Sequence, residues 1–122
     1  MTTRDVLIVE DDPLSARLIE LALRSQPYQF HLAHDGKTAL KIANKNSLDL
    51  ILLDLLLPGM DGIDVLRQLK AKRRTASVPV VVITSKKRAQ DKQTALSLGV
   101  KAYFIKPYDQ KELLRVCLSL AK

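Results

Sequence analysis

Three short apolar runs constrain the fold of this chain more than any other feature. They are VLIV at residues 6–9, LILL at 50–53 and VVVI at 80–83. Each run is apolar at every position, whereas a strand with one solvated face alternates apolar and polar residues. Continuous runs of this length are typical of strands buried on both faces, as in a parallel sheet covered by helices. Two further runs, FHLA at 30–33 and AYFI at 102–105, predict two more strands, and the weak FHLA run suits a sheet edge.

Helical segments lie between the predicted strands. The fourth of these predicted helices, which follows the fourth strand, covers about residues 86–98. It ends at Gly99, which is placed to adopt a left-handed conformation just past the last turn. The last helix starts at Asp109, whose side chain can cap it. One face of the first helix collects a set of mainly apolar residues: Leu14, Leu18, Leu21, Ala22 and Ser25.

Alternating strands and helices with short connections predict a fold class as well as its elements. Five βα units imply parallel strands joined by right-handed crossovers. With helices on both faces of one sheet, we expect an α/β (βα)5 fold with the flavodoxin-like strand order 2-1-3-4-5. The 122 residues suit one domain, so we expect a single domain over residues 1–122.

Composition excludes several classes of protein. The single cysteine, Cys117, rules out a disulfide framework within the chain, and it lies in an apolar helical pattern where a packed thiol is expected. No apolar run reaches the 18 residues of a transmembrane helix, and the first residues lead straight into a strand without a secretory signal. We therefore expect a soluble cytoplasmic protein that does not interact with membranes.

The net charge of +7 is unevenly distributed. Residues 1–61 hold 6 Lys/Arg and 9 Asp/Glu, a balance of −3, whereas residues 62–122 hold 14 and 4, a balance of +10. This basic half predicts either solvated helix faces or a surface for an acidic partner. Direct nucleic-acid binding is not expected, although a basic surface is present. The absence of aromatic side chains among the charges of the basic stretch argues against a platform for stacking single strands. That stretch consists of Arg67, Lys70, Lys72, Arg73, Arg74, Lys86, Lys87 and Arg88.

Chemically versatile side chains follow four of the five predicted strands. In an open parallel sheet, sites form outside the carboxyl ends of the strands, near the point where the strand order reverses. The predicted order places strands one, three, four and five side by side, so their ends should form one cleft. The side chains that follow them are Glu10, Asp11 and Asp12, then Asp54, then Thr84 and Ser85, and finally Lys106.

This set of groups is specific for phosphoryl chemistry. Clustered carboxylates raise one another's pKa values unless a cation compensates, and hard oxygen ligands suit Mg²⁺ or Mn²⁺. A metal, a lysine and a hydroxyl around one carboxylate are the groups needed to position a phosphoryl group and to stabilise its charge. An aspartate that acts as the nucleophile forms an acyl phosphate. Asp61 and Gly62 are expected to close the loop after Asp54, with Gly62 permitting the turn.

The chain resembles the receiver domains of bacterial two-component response regulators, among them the chemotaxis regulators. The similarity extends from Val6 to Ala121 through the segments LIVEDDP, LILLDLLLPGMDG, VPVVVITS and GVKAYFIKPY. It implies that Asp54 is the phosphoacceptor and that Thr84 and Lys106 bind phosphoryl oxygens. The metal ligands would be Glu10, largely through water, Asp11, Asp54 and the backbone carbonyl of Leu56.

The resemblance also implies a switch residue and partners. Tyr103 would turn inward when Thr84 moves, although it could also simply be a core residue. The donor would be a sensor histidine kinase or a phosphotransfer protein, and the output a protein target or an output domain missing from this chain.

Asp12, followed by a proline, also fits a helix N-cap, and His31 and His34 are expected to be surface or packing residues.

Two positions depart from what the resemblance leads us to expect. Leu56 and Lys86 stand two residues after Asp54 and Thr84, where side chains should flank the phosphoryl group. Leucine cannot orient an attacking water, so we expect slow hydrolysis of the phosphorylated form. Lys101 and Ala102 stand where DNA-binding regulators often carry two acidic residues used in a dimer, which favours a monomer or weak dimer.

Three alternative functions remain open at this point. A pseudo-receiver would keep the fold as an interaction module without phosphorylation. A small metal-dependent phosphatase would use Asp54 as nucleophile, although such enzymes often carry a second acid where this chain has Leu56. The chain could also be the receiver fragment of a larger transcription factor or hybrid kinase. A receiver modifies only itself, so it is not expected to be a conventional enzyme.

Overall fold

A computed structural model describes residues 3–85 and 89–121 of the chain. Five parallel strands form one sheet in the order β2-β1-β3-β4-β5, which confirms the predicted fold class and strand order. The strands are β1 (Arg4–Val9), β2 (Tyr28–Ala33), β3 (Leu50–Leu53), β4 (Val80–Thr84) and β5 (Ala102–Ile105). The helices are α1 (Pro13–Leu23), α2 (Gly36–Lys45), α3 (Gly62–Ala71), α4 (Arg73–Ala76), α5 (Ala89–Ser97) and α6 (Gln110–Leu120).

The continuous apolar runs are buried on both faces of the sheet, as predicted. Every residue of β3 and β4 is buried, and successive side chains of β1 point to opposite layers. Leu7 and Val9 pack in the layer covered by α2, α3 and α5, whereas Val6 and Ile8 pack in the layer covered by α1 and α6. The strand β2 is an edge strand, with Leu32 exposed.

Helix α1 turns a different face inward from the one that the sequence indicated. Its buried residues are Ala16, Ile19 and Leu23, whereas Leu14 is 66% exposed, and Leu18 and Leu21 are also exposed. The buried set has helical spacing as well, and its small member, Ala16, lets the helix lie close to the sheet. The leucine-rich face of α1 is therefore a solvent-facing apolar stripe.

The segment between α3 and β4 contains a short helix that the sequence did not predict. Helix α4 spans four residues and carries Arg73 and Arg74. Its fold depends on Thr75, which is buried and donates its hydroxyl hydrogen to the Leu69 carbonyl. Lys70 holds the same segment by donating to the carbonyls of Ala76 and Val78 at 3.2 and 3.3 Å. These polar contacts stabilise a helix that shows no apolar periodicity.

The predicted helix ends are confirmed wherever the structure describes them. Asp12 and Asp109 are N-caps whose side chains accept backbone N–H groups of the first helical turns, and Pro13 is the first residue of α1. Gly99 has a φ of +92°, the left-handed conformation predicted past α5. The predicted start of the fourth helix, residues 86–88, lies outside the described residues.

Candidate functional site

Asp54 lies at the carboxyl end of β3 and is 5% exposed. Its backbone N–H donates to the Val9 carbonyl at 3.0 Å, which holds it beside the end of β1. Its carboxylate accepts the Leu56 N–H at 2.9 Å on Oδ1, and its Oδ2 lies 3.1 Å from Lys106 Nζ. The carboxylate is therefore oriented from two sides while remaining at the mouth of the cleft.

Glu10 lies next to Asp54 at the end of β1 and is 2% exposed. Lys106 donates to its Oε1, and the Asp12 N–H donates to its Oε2 at 3.2 Å. Burial, reinforced by the charge of Asp54, raises the pKa of Glu10 to about 7, although the hydrogen bond from Lys106 opposes this rise. Burial is the larger cause of this rise, and the neighbouring carboxylate of Asp54 adds to it.

Lys106 connects the two buried carboxylates. Its backbone N–H donates to the Thr84 carbonyl at 2.9 Å, which positions it at the shared end of β4 and β5. Burial lowers the pKa of the Lys106 ammonium, but the hydrogen bonds and charges of Glu10 and Asp54 outweigh burial and raise it. The sequence predicted that this ammonium lies near the site. It did not predict the pairing with Glu10, which is 96 residues away along the chain.

Three carboxylates of the site fit a divalent cation. One oxygen each of Glu10, Asp11 and Asp54 lies within 4.8 Å of the others, and Asp11 is exposed at the mouth of the cleft. Hard oxygen donors that leave part of the coordination sphere open to water or phosphate suit Mg²⁺ or Mn²⁺. Lys106 contacts Glu10 and Asp54 and, among the residues that the structure describes, is the one cation paired with these carboxylates. These residues therefore fit the metal that the sequence predicted.

Thr84 and Tyr103 lie on the adjoining strands, as predicted. Thr84 is the last residue of β4 and is fully buried, and Tyr103 pairs with Val82 in the middle of β5. The Tyr103 ring is half-buried against the layer of α2, α3 and α5, with Lys92 Nζ 5.9 Å from its centroid. Burial, together with the charges of Asp91 and Asp54, raises the pKa of Tyr103.

Gly62 packs the start of α3 against the end of β3. A Cβ at this position would lie 2.4 Å from the Leu55 Cα and 2.8 Å from the Asp54 carbonyl oxygen. The sequence interpretation that Gly62 permits a turn is therefore wrong in its cause. The glycine with a positive φ in this loop is Gly59, at +78°, whereas Gly62 is needed for close approach.

The remaining predicted site residues differ in their surroundings. The Leu56 side chain is 45% exposed beside Asp54, and Lys86 lies outside the described residues. His31 pairs with Asp5 at 3.1 Å, away from the strand ends. The Nδ1 of His34 lies 3.2 Å from the Glu10 carbonyl oxygen, so His34 contacts the backbone of the site, which agrees with the surface or packing role predicted for it.

Comparisons with known proteins agree with this geometry. A family model described as the response regulator receiver domain matches residues 6–117. Response regulator ArlR of Staphylococcus saprophyticus is 42% identical over 109 residues, or 89% of this chain and 48% of the relative. Sensory transduction protein RegX3 of Mycolicibacterium smegmatis is 40% identical over 109 residues, or 89% of this chain and 46% of the relative. The receiver domain of a sensor histidine kinase from Pseudomonas aeruginosa has a TM-score of 0.87 and 32% identity, covers 98% of each chain, and was solved with magnesium in its active-site cleft.

A parallel (βα)5 sheet with acidic residues and a lysine at its strand ends defines a domain of the receiver class. Because the family model spans most of the sequence, the chain belongs to the response regulator receiver family, whose members are two-component signalling proteins. It spans about half the length of the curated relatives it matches. No helix within residues 3–85 and 89–121 is long and apolar enough to cross a membrane.

Proposed function

We propose that Asp54 accepts a phosphoryl group from a phosphohistidine donor and that the resulting acyl phosphate is the signal. The observation that carries this proposal is the convergence of Glu10, Asp11 and Lys106 on one buried, oriented aspartate. An aspartate that served only to cap the end of a strand would need none of these neighbours. The whole chain, residues 1–122, is proposed to act as one receiver domain.

The transfer step follows from the orientation of the carboxylate. A carboxylate oxygen of Asp54 attacks phosphorus, the P–N bond to the donor histidine breaks, and the imidazole leaves with the electron pair. The Lys106 ammonium, 3.1 Å from Oδ2, is placed to bind an equatorial phosphoryl oxygen, as is the Thr84 hydroxyl after a small movement. Water later cleaves the P–O bond, which releases inorganic phosphate and restores Asp54.

A divalent cation completes the proposed site. Glu10, Asp11 and Asp54, with the Leu56 backbone carbonyl, would hold Mg²⁺ or Mn²⁺, with Glu10 acting largely through water. When bound, the cation supplies positive charge to the phosphoryl oxygens. The chain's own residues orient the nucleophile: the Leu56 N–H fixes Oδ1, and Lys106 fixes Oδ2. The only reactions proposed are phosphorylation and dephosphorylation of the chain itself.

The readout is proposed to be a change of surface. A phosphoryl group adds charge and strong acceptors at the cleft. Movement of Thr84 toward it vacates space for the Tyr103 ring, and the surface formed by α5, β5 and α6 changes shape. A partner that prefers this shape shifts the population by its differential affinity. That partner is a downstream protein or, in a longer chain, an output domain, and Lys101 and Ala102 favour a monomer or weak dimer.

Labelling with a small phosphodonor tests this function. Acetyl phosphate with Mg²⁺ should add one phosphoryl mass to the wild-type chain and none to Asp54→Ala. Asp49→Ala is the matched control, since Asp49 is a half-buried acid that accepts a hydrogen bond outside the site. A wild-type chain that is never labelled would support a pseudo-receiver, and steady turnover of a phosphate ester would support a phosphatase.

A further inference from the structure

Positive charge collects at the end of the molecule opposite Asp54. Helices α2 and α3 run antiparallel to the strands, so they end beyond the amino ends of the sheet, where α4 also lies. Five exposed cationic side chains occur on these helices and their junction, and we refer to them as the basic end: Lys41, Lys45, Lys72, Arg73 and Arg74.

The fold holds this surface together. Lys41 and Lys45 are one turn apart on α2, and Lys72 Nζ donates to Asn44 Oδ1 at 3.3 Å, which connects α2 to the junction of α3 and α4. Lys70 fixes α4 from beneath through the carbonyls described above. Charges that are dispersed along the sequence therefore lie on one supported face.

Acidic residues do not neutralise the basic end. Within the described parts of the chain, no carboxylate forms an ion pair with any of its five cations. The acids at this edge of the sheet, Asp5 and Asp49, are engaged elsewhere: Asp49 accepts the Asp5 N–H at 2.8 Å, and Asp5 pairs with His31. The cations remain available to an external anion.

The surface also lacks the groups that other anionic partners need. The large exposed apolar side chains of the described residues lie in α1, β2, α5, β5 and α6 or beside Asp54, and none lies in α2, α3 or α4. Membrane-surface helices bury an apolar face, and protein interfaces depend on apolar or aromatic anchors. None of the chain's five aromatic residues lies in α2, α3 or α4 either, which removes the stacking platform that single strands use.

We propose that the basic end binds the phosphate backbone of duplex nucleic acid, without base-specific contacts, although the sequence alone did not lead us to expect direct nucleic-acid binding. Unpaired lysines and arginines alone can supply such binding, and the net charge of +7 adds long-range attraction. The surface faces away from Asp54, so phosphorylation and backbone binding use separate ends of the domain. This inference does not depend on the proposed function.

Two matched variants of the whole chain test the proposal. One combines Lys41→Gln, Lys45→Gln, Arg73→Gln and Arg74→Gln at the basic end. The control combines Arg17→Gln, Arg24→Gln, Lys111→Gln and Arg115→Gln on or at the ends of α1 and α6, which pack together on the other face. Each variant loses four positive charges, so the net charge falls from +7 to +3 in both. Far-ultraviolet circular dichroism and thermal unfolding report whether each variant folds.

Fluorescence anisotropy with a short labelled DNA duplex of arbitrary sequence is the measurement. The wild-type chain and the control should bind at low salt, and the basic-end variant should bind at least about tenfold more weakly. The slope of log affinity against log salt should fall by about one for each phosphate that the variant no longer neutralises. Absence of duplex binding by the wild type, equal weakening in the two variants, or binding to phosphatidylserine vesicles without binding to duplex would each overturn the proposal.

Discussion

At the scale of single residues, Leu56 is an unusual neighbour for the Asp54 carboxylate, because its side chain is apolar. Its backbone N–H orients the Asp54 carboxylate, but its exposed side chain offers no hydrogen bond to an attacking water. Leu56→Asn should therefore accelerate loss of the phosphoryl group by roughly 10-fold to 100-fold, because an amide can position that water. Decay of labelled protein after removal of acetyl phosphate measures this rate.

The control for that substitution is Leu56→Met, which keeps the apolar character and the backbone N–H. Its decay should match that of the wild type. Equal rates for the asparagine and methionine variants would show that the side chain at this position does not govern hydrolysis.

Cys117 provides a residue-scale prediction with a defined pH dependence. It is fully buried between α6 and the sheet, and burial raises the pKa of its thiol to about 12. The unfolded chain ionises this thiol at about pH 8.5, so the stabilisation is present below that pH and is lost as the pH rises toward about 12. The free energy of unfolding should therefore fall more steeply above about pH 9 for the wild type than for Cys117→Ala, as measured by urea titration. Parallel pH profiles for the two proteins would contradict the buried, neutral thiol.

At the scale of elements, the site depends on how closely α3 approaches the end of β3. Gly62→Ala would place a Cβ against the backbone of Leu55 and Asp54, so it should destabilise the domain by about 1–3 kcal/mol. Gly36→Ala is the matched comparison, because Gly36 also begins a helix but its closest neighbour, at 2.5 Å, is a side-chain atom of Val65 and not backbone. Thermal unfolding should show a larger loss of stability for Gly62→Ala, and equal losses would show that the backbone contact does not limit the packing.

The exposed stripe of α1 makes a second prediction at this scale. Leu18 lines a cleft of about 420 Å³ together with Lys106 and Tyr108, so an apolar surface adjoins the proposed phosphoryl site. If a protein donor docks there, Leu18→Arg should slow transfer from a phosphohistidine protein by about tenfold without slowing transfer from acetyl phosphate. Leu32→Arg on β2 is the control, because Leu32 is similarly exposed, at 43% against 40%. An equal effect on both donors would indicate that Leu18 affects the phosphoryl-transfer step itself and not the docking of the donor protein.

At the scale of the whole molecule, the sequence predicted the sheet better than the surfaces of the helices. The runs around Ile8, Leu52 and Val82 predicted the buried parallel strands because a short, continuously apolar run suits few positions except a strand covered on both faces. The inward face of α1 was mispredicted because its leucine-rich stripe and its buried face both recur at helical spacing, and only packing on the sheet distinguishes the two faces.

The location of the site was predictable from the strand order and not from local motifs. Topology brings the ends of β1, β3, β4 and β5 together, so residues far apart in the chain could be assigned to one cleft. The pairing of Lys106 with Glu10 and the close approach at Gly62 were not predictable, because each depends on distances of a few ångströms between elements.

The central claim, that Asp54 itself carries the phosphoryl group, is tested most directly by chemical trapping. Borohydride reduces an aspartyl phosphate to homoserine, so peptide mass spectrometry after acetyl phosphate treatment locates the modified residue. The structure predicts homoserine at position 54 and an unmodified carboxylate at Glu10, Asp11 and Asp12. Trapping at one of those acids, or a reduction-resistant phosphate on Thr84 or Ser85, would contradict the assignment of Asp54.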